Sequence, residues 1–175
     1  QTHATKRGDY FSFAFVDNMP KFDTSEPDVM EYLTGIAKHW VCEWKVDGIR
    51  FDVGNEISHA FLKHLRLELK KCNPKLFLLG EIWHDAFPWL LGDEYDSTMN
   101  YPFLACVNNF WADKTQSGTD FMHGINQCYS MYYEQVNRVL FNLLDSHDTD
   151  RLMERCHGNA DMFLAQLTVL FTMQG

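Results

Sequence analysis

An α/β fold with a parallel sheet is predicted by three observations. Short apolar runs close on carboxylates at Asp52, Glu81 and Asp148, and buried parallel strands read as such runs because helices cover both faces. Amphipathic helical patterns separate the runs, as right-handed crossovers between parallel strands require. The chain is 46% hydrophobic and 15% aromatic over 175 residues, enough for one domain with a covered sheet. Periodicity alone leaves open whether that sheet is open or closed into a barrel.

Residues 1–23 read as an irregular, aromatic-rich loop. Ser25-Glu26-Pro27-Asp28 then reads as a helix start, with Ser25 as N-cap, proline in the first turn and an acid facing the helix dipole. Val29, Leu33, Ile36, Ala37 and Trp40 carry that helix to about Trp44. A strand to Asp52 follows, then a helix with Ile57, Phe61, Leu65 and Leu69 on one stripe, stopped by Asn73-Pro74. The run Leu76 to Glu81 is the next strand, and Tyr95 to Asn100 a shorter one. Helices are expected over Phe103–Trp111 and roughly Asp120–Val136, a strand over Val139–Leu144 ending near Asp148, and a last helix over Asp161–Met173.

Composition removes several classes of function. A net charge of −9 disfavours nucleic acid, whose phosphates need a basic face. The five cysteines are scattered without a C-x-x-C pair, so neither a zinc site nor a disulfide framework is expected, and reduced thiols fit a cytoplasmic protein. No signal peptide or membrane-length apolar stretch is visible. No linker interrupts residues 1–175, so they read as one domain. The first residue is Gln1, and Val169–Gly175 resembles the approach to another strand. The chain is therefore expected to be a piece of a larger protein.

The carboxylates suggest chemistry through their neighbours. Side chains alternate along a strand, so Arg50 and Asp52 share a side, and the guanidinium favours a charged Asp52 suited to nucleophilic attack. Glu81 lies among Leu79, Ile82 and Trp83, apolar surroundings that favour a protonated general acid. Two acids pushed apart in this way form the pair of a retaining glycosidase, with carboxyls roughly 5–5.5 Å apart. Asp148 beside His147 could hold sugar hydroxyls, and Trp83, Phe87, Trp89 and Tyr101 offer faces for pyranose rings. Asp145 and Asp150 read as loop or capping residues, and His39, His64 and His157 as surface or helix-face histidines.

Gly48-Ile49-Arg50-Phe51-Asp52, Gly80-Glu81-Ile82-Trp83 and Ser146-His147-Asp148-Thr149 resemble three ordered signature segments of the α-amylase family, glycoside hydrolase family 13. Met19-Pro20-Lys21-Phe22, Asn55-Glu56, Glu81-Ile82-Trp83-His84-Asp85 and Met99-Asn100-Tyr101-Pro102 are similar to the neopullulanase, cyclomaltodextrinase and maltogenic amylase branch. The resemblance implies part of a (β/α)8 TIM barrel, about strands 4 to 7 with flanking helices. It also implies Asp52 as nucleophile, Glu81 as acid/base and Asp148 as the third acid, with Arg50 and His147 in the cleavage subsite. Asn55, Glu56 and Trp83 would belong to the acceptor side, with Tyr101 among the substrate-binding residues.

The implied substrates are maltodextrins, cyclodextrins and, through α-1,6 bonds, pullulan, with a sugar hydroxyl able to replace water. No organic cofactor is implied. Many family members hold a structural calcium, for which no ligand loop is visible here, and the full-length parent would be a homodimer or larger. Two other readings stand beside this one. An enolase-type metal enzyme would use successive strand-end acids on Mg²⁺, against which a cation at Arg50 counts. An inactive amylase-like interaction fragment is the non-enzymatic alternative.

Overall fold

The computed structural model describes residues 3–4 and 8–175. Contacts divide them into two compact units: the residues up to Glu81 with Leu91–Tyr95, and Ile82–Leu90 with Asp96–Gly175.

The first unit opens on a small antiparallel pair, β1 (His3–Ala4) and β2 (Phe11–Ser12). A bridge from Ser12 to Pro20 and a 3₁₀ turn at Phe13–Phe15 follow. The expected irregular loop thus contains regular elements, and its residues 1–2 and 5–7 lie outside the described residues. Helix α1 (Pro27–Cys42) buries Thr34, Ala37 and Val41, with Pro27 as its first residue. Ser25 is not its cap. The N-cap is Glu26, because Ser25 turns both its N–H (2.9 Å) and its hydroxyl (2.5 Å) to Asp23 Oδ1. The apolar stripe is also narrower than expected, since Trp40 and Trp44 stay exposed and stack on each other.

Strand β3 (Gly48–Phe51) leads to α2 (His59–Cys72), which buries Phe61, Leu62, Leu65 and Leu69. Asn73 is extended and ends the helix before Pro74, as proline demands of the residue before it. Strand β4 (Phe77–Gly80) then pairs parallel with β3, with Arg50 opposite Leu79 and Phe51 opposite Gly80. The two strands exit together, and this sets Asp52 and Glu81 at neighbouring ends.

In the second unit β5 (Ser97–Asn100) is wholly buried and runs straight into α3 (Tyr101–Trp111). The Asn100 side chain caps that helix by accepting from Phe103 N–H at 3.3 Å. Helix α4 (Gly118–Ser130) starts on a reciprocal Ser117–Asp120 capping box. The single helix expected to Val136 is broken. Tyr133 is extended before α5 (Glu134–Asn137), and the Asn137 amide takes the Tyr129 carbonyl at 2.7 Å.

Strand β6 (Phe141–Asn142) pairs parallel with β5 and is shorter than the predicted Val139–Leu144. The Leu144 carbonyl is instead taken by the buried Asn108 amide at 3.1 Å. A short α6 (Leu152–Arg155) and α7 (Ala160–Thr172) complete the unit. Its core gathers Phe103, Val107, Ile125, Leu144 and Leu152 with Cys106, Cys128 and Cys156. Burial pushes the Cys128 thiol up to about 12, so it stays protonated as a small apolar group. No helix of the described residues is long and apolar enough to cross a membrane.

Candidate active site

In the first unit one guanidinium serves both acids. Arg50 Nη1 donates to Asp52 Oδ1 at 2.5 Å, and Arg50 Nη2 stands 2.8 Å from Glu81 Oε1. The second contact is an ion pair without a directed hydrogen bond, which leaves that buried N–H without an acceptor along its axis. Asp52 keeps 70% of its side chain exposed while Glu81 keeps 6%. The sequence expectation for Glu81 needs correcting here. It is buried, but beside a cation as well as among apolar groups.

The turn behind Asp52 is laced to Glu81. Glu81 N–H donates to Phe51 O, Gly54 N–H to Glu81 O, and Val53 N–H to the Glu81 carboxylate, each at 2.9 Å. The last bond needs Val53 in the left-handed region at φ 46°, ψ 46°, which is strained for a β-branched residue. Below the turn Tyr95 donates its hydroxyl to Gly54 O at 3.0 Å, and burial pushes its phenol well above the ordinary range. A Cβ on Gly80 would lie 2.6 Å from the Tyr95 ring, so only glycine lets β4 pass over it. Sequence reasoning missed Val53 and Tyr95. The Gly80-Glu81 pair was the available signal for a close approach.

Asn55 sits in the 3₁₀ turn Gly54–Glu56. Glu56 faces the 10–22 loop, where both carboxylate oxygens accept from Ala14 N–H at 3.1 Å and Oε2 pairs with Lys21 Nζ at 2.7 Å. Their side chains are only 8% and 10% exposed, and the Lys21 ammonium lies 4.8 Å from the Phe13 ring centroid. Ala14 and Phe15 both have positive φ, 50° and 61°, so Glu56 holds a strained loop segment in place. Lys21 was not among the expected site residues, although it lies within Met19-Pro20-Lys21-Phe22.

In the second unit Asp148 lies on a turn six residues beyond β6. Ser146 N–H donates to Thr149 Oγ1 at 2.8 Å and Asp148 N–H to Ser146 Oγ at 3.2 Å. His147 Nε2 is 3.2 Å from Asp148 Oδ2, and the two side chains are 70% and 44% exposed. Asp145 plays the expected capping part, accepting Leu152 N–H at 2.7 Å and pairing with Arg151 at 3.1 Å.

Trp83 and Tyr101 stack face to face, centroids 3.9 Å apart at 9°. Tyr101 is a correction. It is 4% exposed, so it backs Trp83 and offers no open face to a sugar. Trp83 itself is 49% exposed. Trp89 tilts against His84 and Phe87 against Tyr133. Among the described residues no three His, Cys, Asp or Glu side chains are grouped to hold a metal ion.

Strand-end acids sharing an arginine on parallel β-strands place the chain among α/β proteins with a carboxylate site at the strand ends, and comparison with known proteins names the family. A family model described as "Alpha amylase, catalytic domain" matches residues 2–175, and the chain belongs to that family. It is 44% identical over 170 residues to neopullulanase 2 of Thermoactinomyces vulgaris, covering 97% of the chain and 28% of that protein. It is 43% identical over 166 residues to the intracellular maltogenic amylase of Bacillus subtilis strain 168, covering 95% and 28%. A solved cyclomaltodextrinase superposes with a TM-score of 0.92 at 40% identity, covering 95% of this chain and 28% of that one. The chain thus spans under a third of these relatives and forms part of the family's (β/α)-barrel domain, as the sequence predicted.

Proposed function

We propose that the protein containing this chain is a retaining α-glucan hydrolase acting on α-1,4 bonds of maltodextrins and cyclodextrins, with α-1,6 bonds of pullulan as a further substrate. The observation that carries the reading is the single Arg50 guanidinium at 2.5 Å from Asp52 and 2.8 Å from Glu81. It holds two carboxyl groups close together, as a retaining pair needs, and a cation in that place counts against a divalent metal.

Asp52 attacks the anomeric carbon while Glu81 gives its proton to the departing oxygen. Glu81 then takes a proton from water, or from a sugar hydroxyl, which displaces Asp52. Exposure of Asp52 leaves it open to the sugar, and the three hydrogen bonds between its turn and Glu81 keep the two roles in register. Asp148 and His147 hold sugar hydroxyls. Trp83 stacks on an acceptor ring, backed by Tyr101. Asn55 and Glu56 belong to the acceptor side, with Glu56 acting through the 10–22 loop it anchors.

The cytoplasm is the proposed compartment, supported by the intracellular Bacillus subtilis relative and by five free cysteines. A homodimer is the proposed assembly, resting on the branch resemblance alone.

Leaving-group dependence in the complete protein tests the role division. Glu81→Gln should lose about 10²–10⁴-fold on maltodextrin and regain its first step on an aryl maltoside, whose leaving group needs no proton. Asp52→Asn should gain nothing from that substrate, and wild-type product should first appear as the α-anomer. Equal rescue of both variants, or β-anomer first, would overturn the reading.

A further inference from the structure

Helices α1 and α2 of the first unit run side by side, and one ion pair sets their register. Lys38 Nζ meets Glu68 Oε2 at 2.9 Å. One turn further along each helix, four residues on in both cases, stand Cys42 and Cys72, the last residues of α1 and α2. Residues at i and i+4 share a helix face, so a register with Lys38 facing Glu68 brings the two thiols face to face. Cys72 is accordingly the main group acting on the Cys42 thiol, and the Lys38 ammonium acts on both. Both are free and partly exposed, whereas Cys106, Cys128 and Cys156 are buried.

We infer that Cys42 and Cys72 form a redox-responsive dithiol that closes to an intrachain disulfide under oxidising conditions. The oxidant is a small disulfide of the glutathione type. One cysteine thiolate attacks a sulfur of that disulfide and expels one small thiol. The second thiolate displaces the other, so one S–S bond breaks, one forms, and the electron pair leaves on two reduced thiols.

Helix α1 leads into β3 and α2 into β4, so the link joins the entrances of the two strands whose exits carry Asp52 and Glu81. It closes a loop of about 30 residues around the Asp52–Glu56 turn, a size at which cross-linking restricts the unfolded chain substantially. The hydrogen bond to Cys72, ahead of burial, holds the Cys42 thiol above its ordinary range, while Lys45 and Lys38 oppose that shift. Closure is therefore slower than at a thiol lowered by its surroundings.

The test is oxidation of the whole chain with oxidised glutathione, followed by thiol titration, peptide mapping and thermal unfolding. Titratable thiols should fall from five to three, with a peptide linking Cys42 to Cys72. The midpoint should rise by roughly 5–10 °C, reversed by dithiothreitol. Cys42→Ser and Cys72→Ser should each abolish link and shift while leaving the reduced midpoint near wild type. Glutathione adducts persisting separately on both cysteines, a link between two chains, or a lowered midpoint on oxidation would each overturn the proposal.

Discussion

Two ways of holding a carboxylate occur in this chain. Asp52 and Glu81 leave adjacent parallel strands, share Arg50 and are joined by backbone bonds from Phe51 through Gly54. Asp148 leaves a strand of two residues and rides on a turn closed by the hydroxyls of Ser146 and Thr149, beside an exposed His147. The first arrangement is over-determined, because strand register, ion pairs and a strained Val53 all specify the same geometry. The second is mostly local: apart from the Tyr101 hydroxyl, which donates to Ser146 Oγ at 3.4 Å, the bonds that shape the turn come from within four residues. A group that must keep its distance from a partner gains from the first design. A group that closes on a ligand is served by the second.

The largest effect should fall on the braced pair. Arg50→Met leaves the buried Glu81 without its cation, and breaking such a pair costs about 3–5 kcal/mol. The lower end applies, because Arg50 keeps 31% of its side chain in water. Urea unfolding of this chain measures it, and a loss below about 1 kcal/mol would mean that the bracing is only apparent.

Next comes the Lys21–Glu56 contact. Lys21→Met and Glu56→Gln should each lose about 1.5–3 kcal/mol, the range for hydrogen bonds to charged groups. The double variant should lose less than the two together, as contacting residues do. In the complete protein, the same shift in the transfer-to-hydrolysis ratio from both variants would place Glu56's influence in the loop. A shift with Glu56→Gln alone would mean direct contact with the acceptor.

The smallest effect belongs to the turn. Thr149→Val removes the acceptor of Ser146 N–H and should lose about 1 kcal/mol or less, read from the same urea curves. A loss as large as that for Arg50→Met would erase the contrast between the two designs.

What could be read in the sequence divides along similar lines. The runs at Gly48–Phe51 and Phe77–Gly80 and the stripe Phe61, Leu65, Leu69 were legible, because burial imposes periodicity on consecutive residues. The placement of Arg50 beside Asp52 was legible from strand alternation, and that of His147 beside Asp148 from their adjacency. Ser25 misled because its hydroxyl had a nearer partner in Asp23. Strand β6 fell short because Asn108, far away in the sequence, takes the Leu144 carbonyl. The partnership of Lys21 with Glu56 and the seating of Tyr101 beneath Trp83 leave no periodic trace. They depend on tertiary placement, which binary patterns do not encode.

The Trp83–Tyr101 stack has a thermodynamic consequence. An aromatic side chain that must be frozen when a ligand lands gives up rotamer entropy at that moment, of order 0.5–1.5 kcal/mol for a mobile group. Trp83 has lost that freedom in advance, since a buried ring lies flat beneath it at 3.9 Å. A flat apolar ligand landing on its exposed indole would therefore meet a rigid shelf, and the enthalpy of stacking would reach the binding constant with little entropic offset from this residue.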